Sequence, residues 1–403
     1  MMRNSPTETA FLPDVATRAN TGSIRHEIRV CSTHADFLKL RPSWEAVCTA
    51  CPATLEFTYC ELAAAKAFAR GAVVSVALVY DGAALVALWP LCIAREGACR
   101  VARALGCGSN EEYGGPLVSD RGDRRFYDAA VDALRSVDAD VLEIRFVECS
   151  GPLHEALSRA PLSWVLRALP ERWRLLSGYA MELSRFPTFD AFIATRPDSL
   201  RRPLRRLARR LSEDGAVEYG WCKDVDDARA VLTWLFATKR HWVLSRGLDA
   251  PYLMNDEVRD FFIELAGRTD LVTTPLVSFV KLDGAPIAAS VNLTGPRRLE
   301  YFITTYDEAY AARSVGNLLV DSMARWALAN GRDFDFRPYF SSYKERWSNH
   351  KSWYESHFVI LTWRGRLVEF PLAAEQLRRV LRRAREFAID PLRAKLRALT
   401  SAR

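Results

Sequence analysis

Two stretches of the chain carry the same succession of apolar and polar positions. Residues 73–91, VVSVALVYDGAALVALWPL, and 275–293, PLVSFVKLDGAPIAASVNL, are each two β-rich runs separated by Asp-Gly. Asp-Gly between such runs signals a hairpin. The first copy lies in the most apolar window, Gly71–Ala94. That window is long enough to span a bilayer, but Asp81-Gly82 interrupts it, so two buried strands are predicted rather than a membrane helix.

The correspondence continues past the hairpins. After the first come CRVARALG (99–106), a loop with NEEYGGPLVS (110–119), a helix-like RRFYDAAVDALRS (124–136) and a strand-like DADVLEIRF (138–146). After the second come RRLEYFITTYD (297–307), the loop EAYAARSVGN (308–317), the helix-like LLVDSMARWALANG (318–331) and RDFDFRPYF (332–340). The order β-β-β-loop-α-β thus occurs twice, with the longer connection in the first copy. Helical segments precede each copy: 34–50 and 61–70 in the first, 199–215 and 225–247 in the second. Leu200, Leu204, Leu207 and Leu211 recur at helical spacing among arginines, which predicts one apolar stripe. Asp198 or Ser199 would cap that helix, with Pro203 in its first turn. The pattern reads as one α+β unit duplicated and joined near 150–178. The predicted organisation is a flexible tail (1–24), a first domain (25–175), a second domain (176–370) and a basic helical tail (371–403) broken at Asp390-Pro391.

Composition adds constraints. The 403 residues are 49% hydrophobic and 26% charged, normal for two globular domains. Net charge is +7, yet residues 201–210 and 372–403 each carry +6, so the remainder sums to −5. The basicity belongs to two helices and is not a general nucleic-acid footprint. In the last segment Leu377, Val380, Leu381, Ala384, Phe387 and Ala388 recur at helical spacing. That stripe predicts packing against a domain, leaving the arginines a weak contact with an anionic membrane surface. Nine scattered cysteines include one CxxC, Cys48 and Cys51, with no second pair at zinc-ribbon spacing. Reduced thiols in a cytoplasmic protein and no metal are expected. No Ser-His-Asp elbow, HExxH, Walker A or suitably placed GxGxxG is present.

At 313–318, RSVGNL, a strand gives way to a helix. A helix N-terminus presents unpaired N–H groups at the positive end of its dipole. Gly316 lets an anion approach the backbone, and Arg313 adds a fixed charge. The alternative is an ordinary turn with a solvated arginine.

The order of elements resembles the GNAT N-acyltransferase fold, and RSVGNL is similar to that superfamily's pyrophosphate loop. Arg313 and Gly316 match, while Leu318 stands where a small residue is usual. YDEAYAARSVGNLL (306–319), FDF with YKERW (334–347) and TKRHWVLSRG (238–247) resemble the large bacterial branch associated with cellulose and exopolysaccharide biosynthesis. The second copy carries the resemblance well and the first as a degenerate copy, in a tandem arrangement like that of Fem-type transferases. The resemblance implies an α+β fold of two tandem GNAT-like domains, each a mixed, mainly antiparallel sheet flanked by helices. It implies an acyl-CoA donor, acetyl-CoA in particular, held by Arg313, Ser314, Val315, Gly316, Asn317 and Leu318, and a small-molecule amine acceptor.

Transfer from a thioester to an amine needs a neutral amine, a positioned thioester and a protonated leaving thiolate. Tyr343 and Lys344 are the motif candidates: a phenol to protonate the thiolate and a cation for a phosphate or carboxylate. The alternative is a helix start with Trp347 in the core. Glu300 is either a base, directly or through water, or a solvent-facing strand residue. His241 is either a base or a structural histidine on an apolar helix face. Asp335, between Phe334 and Phe336, either faces the cleft or is satisfied within the strand. In the first copy Glu111 and Glu112 stand at the position corresponding to the pyrophosphate loop, where they would repel a donor. Two other functions compete: an aminoacyl-tRNA-dependent transferase of the Fem type, supported by the basic helices, and a catalytically inactive scaffold.

Overall fold

The computed structural model describes residues 24–47, 51–119, 123–160, 163–164, 175–248 and 250–368. The expected N-terminal tail before residue 24 and the helical tail at 371–403 lie outside them. The first half runs β1 (Ile24–Cys31), α1 (His34–Leu38), α2 (Arg41–Val47), α3 (Phe57–Ala69), β2 (Val73–Asp81), β3 (Ala84–Glu96), β4 (Cys99–Ala104), β5 (Leu117–Val118), α4 (Arg124–Ala133), β6 (Val141–Glu148) and α5 (Pro152–Arg159). After the short β7 (Ser163–Trp164) come β8 (Leu176–Met181), α6 (Phe189–Ala194), α7 (Asp198–Asp214), β9 (Val217–Trp221), α8 (Val225–Ser245) and α9 (Glu257–Ala266). The chain continues through β10 (Val277–Leu282), β11 (Ala285–Thr294), β12 (Arg298–Tyr306), α10 (Val315–Ala329), β13 (Asp333–Pro338), α11 (Ser342–Trp347) and β14 (His350–Ile360).

Both Asp-Gly hairpins form, β2–β3 and β10–β11. At the second, Asp283 (φ 50°) and Gly284 (φ 82°) are both left-handed, the geometry a two-residue type I′ turn requires. The architecture is α+β: in each half a mixed, mainly antiparallel sheet is flanked by helices. The two sheets join into one, in the order β1-β2-β3-β4-β6-β14-β8-β13-β12-β11-β10-β9. Among the described strands, only β4–β6 and β12–β13 pair in parallel.

The junction exchanges strands. β14, from the end of the second half, pairs with β6 of the first, while β8 pairs with β13 of the second. β14 and β8 then pair with each other across the junction. One layer of helices, α1–α3 with α8 and α9, covers one face of both halves and shares a single core. On the other face α4 and α5 pack on the first half, and α6, α7 and α10 pack on the second.

The leucine stripe of α7 faces this core through Leu200, Leu204 and Leu211. Its start differs from expectation. Pro197 is the N-cap, no side chain caps the helix, and Pro203 sits in its second turn. The Leu200 and Arg201 amides bond back to the Pro197 carbonyl instead. The expectation of reduced thiols throughout also fails: Cys51 is disulfide-bonded. No helix among the described residues is long and apolar enough to cross a membrane.

Candidate active site

The sheet opens at two places. β12 and β13 pair in parallel only from Arg298–Asp333 to Glu300–Asp335 and then separate. β4 and β6 pair only from Val101–Val141 to Arg103–Glu143. Each separation coincides with one extra residue on the second strand of the pair. Against β8, β13 advances three positions (Asp335 to Pro338) while its partner advances two (Ala180 to Gly178). Against β14, β6 does the same between Val147 and Ile144. Such a bulge bends the strand away from its neighbour. The strain shows at Arg337 (φ 64°) and Phe146 (φ 53°).

In the first half the chain closes its own wedge. The long connection folds back so that the Gly114 N–H bonds the Arg145 carbonyl (2.9 Å), and Trp89 Nε1 donates to the Gly114 carbonyl (2.9 Å). A Cβ at Gly114 would lie 2.7 Å from the Arg145 nitrogen, so only glycine fits. Glu111 and Glu112 therefore do not stand at a helix N-terminus, contrary to expectation. Glu112 is buried and organises the loop, accepting from Tyr59 Oη (2.9 Å) and the Cys107 N–H (2.6 Å). The helix that follows, α4, is capped by the Asp123 carboxylate, which accepts from the Arg125 N–H.

In the second half the corresponding helix is bare. A 3-10 turn, Glu308–Arg313, leads into Ser314, which is left-handed (φ 53°, ψ 40°), and no side chain caps α10. The Asn317 and Leu318 amides bond back to the Ser314 carbonyl, so the Val315 and Gly316 N–H groups precede the first helical bonds. This is the geometry that binds anions. Val315 and Leu318 point into the core beneath the helix. Leu318 thus anchors the loop, which explains a large residue where a small one is usual. Gly316 faces outward, and a Cβ there would meet the Tyr306 ring at 3.4 Å, an ordinary contact. Asn317 Oδ1 accepts from Trp347 Nε1 at 3.0 Å and ties α11 to the loop. Arg313 is held by the Asp214 carboxylate through Nε (2.5 Å) and Nη2 (2.7 Å). This pairing holds the Asp214 carboxyl below the usual range.

Deeper, at the point where β12 and β13 part, the two halves meet in a buried charged cluster. Arg337 pairs with Glu300 and donates to the Glu111 carbonyl of the first half. Its guanidinium lies 4.3 Å from the centroid of Tyr113 and 4.8 Å from that of Phe302. Asp335 accepts from Tyr113 Oη (2.8 Å), Arg298 Nη1 (3.0 Å) and the Arg337 N–H (2.7 Å). Glu300, 3% exposed, is therefore not a solvent-facing residue. β12 is an interior strand with α8 on one face and α10 on the other. Burial pushes the Glu300 carboxyl up, and Arg337 opposes this.

Lys344 lies at the rim of the cluster, with Nζ 3.1 Å from the Pro338 carbonyl and 3.4 Å from that of Arg337. Burial pushes it down to about 8, and Lys239 of α8 is close enough to add to the shift. Lys239 is itself pushed to about 8 by burial and Arg246. Tyr343 packs edge-on against Phe336, ring centroids 5.8 Å apart, and burial raises its phenol well above the ordinary value. His241 is exposed on α8, not on an apolar face.

The structure thus brings Glu300, Lys344 and, through Asp335, the first-half Tyr113 to one point, and leaves His241 outside. Arg337 and Lys239 complete the cluster. In the sequence Arg337 stands late in the strand-like 332–340 as Arg145 does in 138–146, with nothing to mark it as part of a site, and Lys239 had no signal beyond the TKRHW stretch. Residues 198–345 match the family model described as an acetyltransferase (GNAT) domain. The second half carries a GNAT-fold domain. No curated protein matches the chain. Among solved structures, the chain is similar to the C-terminal domain of an Agrobacterium fabrum protein provisionally assigned as a lysylphosphatidylglycerol synthetase. The two are 13% identical, with 85% of this chain and 96% of that one covered and a TM-score of 0.49. FemX is 12% identical over 76% of this chain and 93% of its own, with a TM-score of 0.45. A tandem GNAT protein from the clavulanic acid biosynthesis pathway is 11% identical over 84% and 99%, with a TM-score of 0.42.

Proposed function

We propose that the chain is an N-acyltransferase that moves an acyl group, acetyl in the first instance, from a CoA thioester to an amine. The observation that carries this reading is the uncapped, left-handed entrance to α10 beside the opening between β12 and β13. The donor's pyrophosphate would sit on the Val315 and Gly316 amides, with its thioester in the wedge. The first half, 25–175, would bind no donor, because its wedge is filled by Gly114 and its helix is capped by Asp123. Its loop at 110–114 instead walls the acceptor side of the cleft. The resemblance to the exopolysaccharide branch favours an amine on a sugar or biosynthetic intermediate as acceptor, with the reaction in the cytoplasm.

The neutral amine attacks the thioester carbonyl, the C–S bond breaks with its electron pair leaving on sulfur, the nitrogen gives up one proton to water, and the thiolate takes one. Lys344 suits the last step. Burial loosens its hold on the proton, pushing the ammonium down to about 8, into the range of an ordinary thiol. Tyr343, raised by burial, holds its proton too tightly to be the better donor and would orient the thioester. Glu300 is bound by Arg337 and would position the cluster.

Against a tRNA-dependent reaction, the arginines of α7 are partly matched by acids of the same helix. Arg201 and Arg202 pair with Asp198, and Arg209 with Glu213. Calorimetry with CoA and acetyl-CoA tests the assignment. One site per chain is expected, weakened about ten- to a hundredfold by Arg313→Ala, since hydrogen bonds to charged groups contribute roughly 1.5–3 kcal/mol. Gly316→Val should weaken binding too. Unchanged affinity in both variants removes this loop from the mechanism.

A further inference from the structure

A second cluster of reactive side chains lies away from this site, where the exchanged strand meets the first half. Cys149 follows directly on β6, and its N–H bonds the Trp353 carbonyl of β14 (2.8 Å). His154 is on the first turn of α5. Glu355 and His357 alternate along β14, and both are buried. The extra residue at this register shift is on β6, so β14 stays regular and presents both side chains to one face.

Three donors, Cys149, His154 and Glu355, converge there, and His357 adjoins the same carboxylate. His154 Nε2 is 3.0 Å and His357 Nε2 2.7 Å from the same Glu355 oxygen. The ligand atoms of Cys149, His154 and Glu355 all lie within 4.8 Å of one another. The two imidazole rings are 5.9 Å apart, centroid to centroid. In a tetrahedral zinc site, bonds of ~2.0–2.3 Å put neighbouring ligand atoms about 3.3–3.8 Å apart. The two histidine–carboxylate separations fall just short of that range. Reaching it takes a few tenths of an ångström of opening between each histidine and the carboxylate. One sulfur, two imidazoles and one carboxylate are a donor set suited to zinc. Charge agrees as well: a thiolate and a carboxylate, costly together in a buried place, are neutralised by one dication.

We propose that Cys149, His154, Glu355 and His357 form a structural zinc site that fastens the exchanged strand β14 to the first half. Sequence spacing does not announce it, since Cys149-x4-His154 and Glu355-x-His357 are separated by most of the second half. Loading would release the thiol proton and require both imidazoles neutral at Nε2, so affinity should fall in acid. The site is independent of the acyl-transfer reading.

The test uses the full chain, purified without chelator and analysed for zinc by plasma mass spectrometry, then stripped and titrated with cobalt. One equivalent of metal is expected, with a cobalt–thiolate charge-transfer band, tetrahedral visible bands and a higher Tm on loading. Cys149→Ser should abolish the charge-transfer band. His154→Gln, at a half-buried position, should weaken uptake at least tenfold while melting like the stripped wild type without metal. A folded wild-type chain that binds neither zinc nor cobalt at one equivalent overturns the proposal. So does a cobalt spectrum unchanged by Cys149→Ser.

Discussion

Replacing Arg337 with methionine removes the cation on which the centre of the molecule depends. The guanidinium is 5% exposed and serves both halves, pairing with Glu300 of β12 and donating to the Glu111 carbonyl. Methionine fills much of the volume against Tyr113 and Phe302 but leaves the Glu300 carboxylate, 3% exposed, without its counter-ion. Removing one partner of a buried pair costs about 3–5 kcal/mol. Burial already pushes the Glu300 carboxyl up. Without Arg337 it would rise further and take a proton, which favours the lower end of that range. Asp335 keeps Arg298 and Tyr113, so the damage stays local. The measurement is urea unfolding at pH 7, followed by tryptophan fluorescence, for Arg337→Met, Glu300→Gln and the double variant. The double variant should recover at least 1 kcal/mol relative to Arg337→Met, because a neutral amide leaves no buried charge. A loss under about 1 kcal/mol in Arg337→Met, or a double variant no better than the worse single one, would refute this account of the cluster.

Other outcomes are expected at the site and around it. Burial pushes Lys344 from the ordinary lysine value of 10.5 down to about 8 in the folded protein. The unfolded chain therefore binds more protons between those values, and stability should rise with pH across that window. Lys344→Met should accordingly stabilise the protein at pH 7, seen as a higher Tm, yet lower kcat and abolish a pH-rate limb near 8. A variant that loses stability at pH 7 contradicts the assigned burial. Asp214→Asn frees Arg313, and CoA affinity by calorimetry should tighten about two- to fivefold, the scale of an exposed pair; weaker binding would mean that Asp214 orients the arginine instead. Acetyl-CoA titrations should give one site per chain, and a second site would show that the first-half wedge opens. Aminoacyl-tRNA should not shift the protein in a gel at about 150 mM salt, because a phosphate-driven complex weakens steeply with salt.

What the sequence revealed followed from how local each signal is. The hairpins, the α10 entrance and the α7 leucine stripe are written in contiguous residues, and each appears where the pattern placed it. Glu300 reads as an exposed strand residue because alternation alone does not say that a strand is interior with helices on both faces. His241 reads as part of an apolar face because Trp242 and Val243 beside it are apolar. The pairing of Arg313 with Asp214 joins residues 99 positions apart, and nothing local announces it. The filling of the first wedge by Gly114 is legible only afterwards: the longer connection was countable, but its route was not. The exchange of β8 and β14 has no sequence signature, since 176–181 and 350–360 lie outside the repeated pattern.

That exchange bears on how the protein is made. When β6 leaves the ribosome its outer edge has no neighbour, because the strand that will cover it ends at Ile360. At ~5–20 residues per second the remaining synthesis takes roughly 10–40 s. During that interval the apolar edge of β6, with Val141, Leu142 and Ile144, is open to any passing strand. A separately expressed first half would remain in that state permanently, and a ribosome stalled before residue 350 would release a chain with the same open edge. Shielding that one β-edge on the nascent chain is the protection this order of synthesis calls for.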